Sequence, residues 1–283
     1  MSWRRRDPVG AAGLLLFLGL AILPIGLSLV YAALYSLGLT GLLGRGLTGS
    51  HWRAVLGSRE LWTSLGLSAG VALAVVAATT AAALFLALSL RERVERGPVS
   101  YLIYLPLALP GAVVAFLVFQ MLTGGGLVPR VLVWLGLSGP VSLVQDRWAL
   151  GIVLAHVALA VPFFTLLFAD LYRSERIGEL ASVARSLGAG PGQCLRRVEI
   201  PLLLRAGAAN LALLFILVLG SYEIPLLLGR QAPQMLSVLT LRKYALFDIA
   251  QKPQAFVVAL VYTALVLVLI GILFRGERRP YGS

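Results

Sequence analysis

A membrane protein built wholly of helices, crossing the bilayer six times, is the fold predicted for this 283-residue sequence. Three features predict it. The chain is 59% hydrophobic and only 13% charged, where soluble domains carry about a quarter charged residues. Its mean hydropathy is +0.91. The apolar residues gather into six long runs, and none shows the alternation of about ten residues that a membrane β-barrel needs. Inside lipid only helices and closed barrels satisfy their own backbone groups, so long apolar runs without alternation are read as helices.

The runs cover residues 11–36, 62–90, 98–123, 148–171, 206–229 and 255–274, each long enough for a hydrocarbon core that takes about 20 helical residues. The first follows Arg4, Arg5 and Arg6 but is longer than a signal-peptide core, so an uncleaved signal anchor is expected. Net charge is +12, which in so apolar a chain points to an anionic lipid surface rather than to nucleic acid. The single cysteine, Cys194, excludes a disulfide scaffold.

Basic residues set the orientation. The N-terminus, the 91–97 loop, the 172–205 loop and the C-terminus together hold fifteen Arg, against nine Arg and Lys in the remaining loops. The first set is expected in the cytoplasm, with both termini inside and Cys194 on the reducing side. Trp52, Trp62, Trp134 and Trp148 fit an interfacial belt. In the second span Gly66, Gly70, Ala74, Ala78 and Ala82 make a ridge of small residues, either a generic helix contact or a subunit interface. Pro106, Pro110 and Pro162 imply kinks or breaks in the third and fourth spans.

The most informative loop is 172–205. Glu175–Leu187 suits a short amphipathic helix, with Ile177, Leu180, Val183, Ala184 and Leu187 at three- and four-residue steps. Gly188 suits its C-terminal glycine, and Gly190-Pro191-Gly192 a sharp turn. A second short helix over Cys194, Leu195 and Val198 is expected to close at Pro201. Such a helix–turn–helix is either an interfacial element or a docking element that enters a partner's groove.

From Gly188 the loop runs nine residues, Ala189 to Arg197, to Val198-Glu199-Ile200-Pro201. It thereby resembles the cytoplasmic signature of permease subunits in binding-protein-dependent ABC importers, EAA, three residues, Gly, nine residues, I-x-L-P. The EAA triplet falls on Ser182, Val183 and Ala184; the signature glutamate is replaced by Ser182, and Glu179 lies one turn earlier. Leu187-Gly188-Ala189 is intact. The resemblance covers spans two to six and implies a single permease domain over residues 1–283 with the type I importer fold, in the inner membrane. It also implies partners: a second permease subunit, a cytoplasmic ATPase dimer that binds ATP and Mg and is gripped by this loop, and an external substrate-binding protein.

The chain itself reads as no enzyme and as holding no cofactor. Neither Lys243 nor Lys252 follows Gly, so there is no Walker A motif, and no GxSxG occurs. His51 and His156 are too far apart in sequence, and from Cys194, to suggest a metal site. His156 reads chiefly as a packed, hydrogen-bonded histidine, with a substrate-pathway role as the alternative. Glu223, in an apolar run beside Tyr222, is either an interfacial residue that reaches headgroups or pairs with Arg230, or a pathway contact for a cation. Gln120 and Asn210 are further intramembrane polar residues. The stretch from Gly220 to Leu241 resembles permeases of the spermidine/putrescine type, which implies a polyamine; relatives for ferric iron, thiamine and phosphonate share the layout. An ion-coupled secondary transporter is the competing class, though no inverted repeat is visible.

Overall fold

The computed structural model describes residues 8–41, 46–90, 105–136, 143–246 and 248–277. Arg4, Arg5, Arg6, Arg45, the 91–97 loop, the start of the third span at 98–104, Arg278 and Arg279 lie outside the described residues. Helices dominate and no strand occurs among the described residues. In order they are α1 (Pro8–Phe17), α2 (Leu23–Ser36), α3 (Ser50–Leu56), α4 (Arg59–Leu90), α5 (Gly111–Leu122), α6 (Leu127–Trp134) and α7 (Leu150–Ser174). There follow α8 (Ile177–Ser186), α9 (Pro191–Cys194), α10 (Ile200–Ala206), α11 (Ala208–Leu219), α12 (Glu223–Leu228), α13 (Leu236–Ala245) and α14 (Lys252–Glu277). Among the described residues five stretches are long and apolar enough to cross a membrane, and the bent pair Pro191–Ala206 with Ala208–Leu219 makes a sixth when taken as one span. The predicted fold class is therefore the observed one.

The chain packs as two compact units, residues 1–62 with 239–269 and residues 63–238 with 270–283. In the first, α1 and α2 are joined by one π turn, Leu18–Ile22, and the apolar side chains of residues 12–30 are almost all exposed. Packing begins near Tyr35, whose ring centroid lies 4.5 Å from that of Phe256. Trp52 donates its indole N–H to Ser36 Oγ at 3.1 Å and is half-buried, while Trp62, Trp134 and Trp148 are exposed. Arg242 and Lys243, expected in an open loop, lie on α13, and both pair with Glu60 at the start of α4. Two cations converge there on one carboxylate because a half-buried lysine needs a counter-charge.

In the second unit α4 turns Ser64, Ser68, Ala72, Val75, Thr79 and Ala83 inward. Ser68 Oγ accepts the backbone N–H of Leu236 at 2.8 Å. The small ridge occupies another face: Gly66, Gly70, Ala74 and Ala78 are exposed, and nothing lies within 4 Å of a side chain built on Gly66 or Gly70. Among the described residues, Gly66 and Gly70 therefore make no close contact within this unit. Pro106–Ala108 forms a single 3-10 turn, and Pro110, in extended conformation, caps α5, so the third span is broken where its prolines predict. The expected loop at 124–147 instead carries α6. Gly126 is the hinge before it, since a side chain there would strike the carbonyls of Gln120 and Met121. Asp146 starts α7 by accepting the N–H groups of Trp148 and Leu150, each at 2.8 Å.

The fifth span needs the largest correction. It was expected as one run over 206–229; the structure has α10 and α11 meeting at Gly207 with a 57° bend, then a break at Gly220, then the separate α12. Pro201 does not close the preceding helix. A π turn, Leu195–Glu199, widens the ladder so that Ile200 N–H reaches Leu195 O. The ladder shifts just before Pro201, which has no N–H to give, and the helix runs on through it.

Candidate functional site: a helix–turn–helix with an exposed apolar face

The helix expected over 175–187 is observed as α8, entered through Arg176, a non-glycine residue with φ +50°. Its end is built as foreseen. Gly188 has φ +92°, its N–H reaches Arg185 O at 2.9 Å, and the N–H of Ala189 reaches Ala184 O at 3.0 Å. These two bonds make a Schellman motif, and glycine is the residue that enters its left-handed position without a Cβ penalty. Gly190, extended before Pro191, then starts α9, and Gln193 Oε1 accepts the Gly190 N–H at 3.3 Å.

The amphipathic pattern resolves into two faces rather than one. Ile177 and Ala181 are buried, and Cys194 packs beneath them with its Sγ 3.7 Å from Ala181 O. Leu180, Val183 and Leu187 point away, with 49%, 58% and 84% of their surface exposed. Glu179 and Ser182 are exposed beside them, whereas Ala184 and Ala189 are half-buried. Ser182 Oγ donates to Glu179 O at 2.6 Å, so the hydroxyl that replaces the signature glutamate is turned back onto its own helix. Glu179 thus presents the acidic group of that face. On the far side Val198 and Ile200 are half-buried and Pro201 is exposed.

Below this face the segment is anchored to α7. Tyr172 Oη donates to Glu199 Oε1 at 3.1 Å. A Cβ on Gly178 would lie 3.3 Å from Tyr172 Cε1, so the ring rests on the α8 backbone. Leu203 and Phe168 are fully buried, and Gly207 admits Phe168 to the bend. Neither Tyr172 nor Gly178 was singled out in the sequence, because an aromatic at a helix end and a glycine at a helix start carry no periodic signal.

The structure places the expected pathway residues on three helices, α5, α7 and α12. Tyr222 is half-buried at the start of α12, and Glu223 is exposed as its first residue. The Glu223 carboxylate sits at the N-terminus of α5, 3.3 Å from where a Cβ on Gly111 would stand, where the helix dipole favours negative charge. It forms no ion pair with Arg230 among the described residues. Gln120 is exposed near the other end of α5, about 14 Å away at 1.5 Å per residue. His156 is buried in α7 with Nδ1 2.9 Å from Ile152 O. A carbonyl only accepts, so Nδ1 carries the proton, and Nε2 is buried without a partner among the described residues.

Residues 70–276 match the family described as binding-protein-dependent transport system inner membrane component. No curated protein matches the chain by sequence. Among solved structures it is similar to a chain of a bacterial ABC transporter involved in the import of the acidic polysaccharide alginate. There the identity is 19%, the TM-score 0.74, and 98% of this chain and 97% of that one are covered. It is likewise similar to a chain of the bacterial alginate ABC transporter in complex with an alginate pentasaccharide-bound periplasmic protein. That match has 18% identity and a TM-score of 0.73, covering 97% and 95% of the two chains. At such identities the likeness establishes a shared fold.

Proposed function

This chain belongs to the family of binding-protein-dependent transport system inner membrane components, and we propose that it is the permease half-channel of an ATP-driven importer, gripped by its motor at residues 172–205. The fold is that of the type I ABC importer permeases. The observation that carries the proposal is the two-faced α8. One face is sealed by Ile177, Ala181 and Cys194, while Leu180, Val183 and Leu187 are left in the open on a helix closed at Gly188. Three large apolar side chains on one exposed helical face mark a groove-seeking surface. In this reading a cytoplasmic ATPase takes that face, Glu179 supplies its acidic rim in place of the signature glutamate that is absent at Ser182, and ATP and Mg are held by the ATPase.

The rest of the assembly follows from the same reading. A second permease subunit completes the pathway, and the exposed ridge Gly66–Gly70–Ala74–Ala78 suits a helix of that subunit, since small residues let backbones approach closely in lipid. An external binding protein delivers cargo. Residues 172–205 and both termini lie in the cytoplasm of a cell with this protein in its inner membrane, which the Arg bias supports.

For cargo, the reading is a cationic solute, a polyamine first. It rests on Glu223, exposed, without an ion-pair partner among the described residues and flanked by Tyr222. A second reading, an acidic saccharide as in the two solved importers, is favoured by Arg147 and Arg230, which line one small recess with the Arg230 Nε buried and, among the described residues, unpartnered. Thermal-shift of the cognate binding protein with spermidine and with a uronate oligosaccharide separates them. Stabilisation by spermidine alone supports the first reading; stabilisation by the uronate alone overturns it in favour of the second. For the coupling role, the test is purification of this chain with its ATPase. Leu187→Asp should remove the ATPase while leaving the chain inserted, and an undiminished ATPase yield would refute the assignment.

A further inference from the structure

Tyr172 ties together three segments that move as separate pieces in a purely hinged loop. It is carried on the last turn of α7, its ring lies on the backbone of α8 at Gly178, and its hydroxyl is bonded to Glu199. Glu199 is the last residue of the π turn and immediately precedes Ile200-Pro201, the head of the bent fifth span. The π turn inserts one extra residue into the ladder, which re-aims every following side chain by about one helical position. Glu199 thereby faces back to α7 rather than outward beside Arg196 and Arg197, which are exposed. A hydrogen bond to a carboxylate is stronger than a neutral one, and this one spans 27 residues of sequence.

We propose that Tyr172 is a positioning residue that locks α8 and the head of the fifth span to α7 through Gly178 and Glu199, so that displacement of the docking face is delivered to both spans as one rigid body. The proposal rests on the docking reading above, and it assigns to Tyr172 and Glu199 a role outside the exposed face itself. Both residues are half-buried beneath the exposed face of α8. A packing role would be met equally well by phenylalanine, which keeps the ring on Gly178; the positioning role requires the hydroxyl.

The test uses the complete complex in lipid nanodiscs, with spin labels at Arg185→Cys on α8 and Leu154→Cys on α7 in a Cys194→Ala background. Distances are read by pulsed electron resonance without nucleotide and after trapping with ATP and vanadate. With Tyr172 present the α8–α7 distance should be the same in both states. Tyr172→Phe and Glu199→Leu should each shift or broaden it on trapping, by the same amount, and the double variant should do no more than either alone. Glu199→Gln retains an acceptor at Oε1 and should keep the single distance. A distance that changes on trapping with Tyr172 intact overturns the proposal, as does an unchanged distance in Tyr172→Phe or a Gln variant that behaves like the Leu variant. Co-purification of the ATPase, read on the same samples, separates the two levels. If the unsubstituted complex holds no ATPase, the docking reading fails; if it does and Tyr172→Phe is silent, only the positioning role fails.

Discussion

Gly207 lies so close to Phe168 that a methyl group on it would stand 2.8 Å from Phe168 Cε1. That approach sets the 57° bend between α10 and α11, because the helix that carries Gly207 is drawn onto the fully buried ring of α7. Gly207→Ala should therefore overpack the bend and destabilise the protein by about 1–3 kcal/mol. Phe168→Leu should also destabilise, by leaving a cavity, but the pair should cost less than the sum of the two because each relieves the other. Thermal unfolding of the four proteins in one detergent checks this; strict additivity would show that the contact does not set the bend.

Gly188 tests the loop's backbone rather than its chemistry. At φ +92° a β-branched residue is strained by about 1–2 kcal/mol, whereas asparagine tolerates the region. Gly188→Val should shift α8 and lower the yield of ATPase recovered with the complex, and Gly188→Asn should keep most of it. Equal recovery from both would separate the turn from coupling.

Opposite faces of α8 should respond differently to charge. Val183→Asp, on the exposed face, should leave the melting temperature unchanged and weaken ATPase binding by about 30-fold or more, the size of a hot-spot loss. Ile177→Asp, on the buried face, should destabilise the protein itself, since it buries a carboxylate among Ala181 and Cys194. Binding titrations and melting curves on both variants distinguish the faces, and a fall in melting temperature for Val183→Asp would place that side chain in the core.

Glu60 holds Arg242 and Lys243 together, with the Lys243 side chain only 12% exposed. Glu60→Gln leaves that ammonium without its carboxylate and should cost about 1–3 kcal/mol, less than a fully buried pair because Glu60 and Arg242 are partly exposed. Lys243→Met in the same background should recover part of the loss. Unfolding measurements at low and high salt check it, with no recovery counting against the ion cluster.

Much of this was legible in the residues, for definite reasons. Spans are readable because lipid demands apolar length, and Gly188 because a helix end needs a left-handed residue. The bend at Gly207 was not, since its cause is Phe168, 39 residues earlier. Pro201 misled because a missing N–H usually ends a helix, and only the π turn before it supplies the compensation. The apolar steps of α8 were found, but periodicity cannot say which face a partner covers: Ile177 packs within the chain and Leu187 does not. Helix α13 was missed because LSVLTLRKYA mixes polar and apolar residues without a clean stripe. Glu223 was placed inside a span, whereas the break at Gly220 puts it at a helix start beside Gly111.

The central claim is that the outward face of α8 is where the motor holds this protein. A photo-reactive amino acid at Leu187, irradiated in native membranes, tests it most directly. The account predicts one protein adduct, a cytoplasmic subunit carrying a nucleotide-binding motif, and its loss when Val183→Asp is added. An adduct with a protein on the other side of the membrane, or with lipid alone, would contradict it.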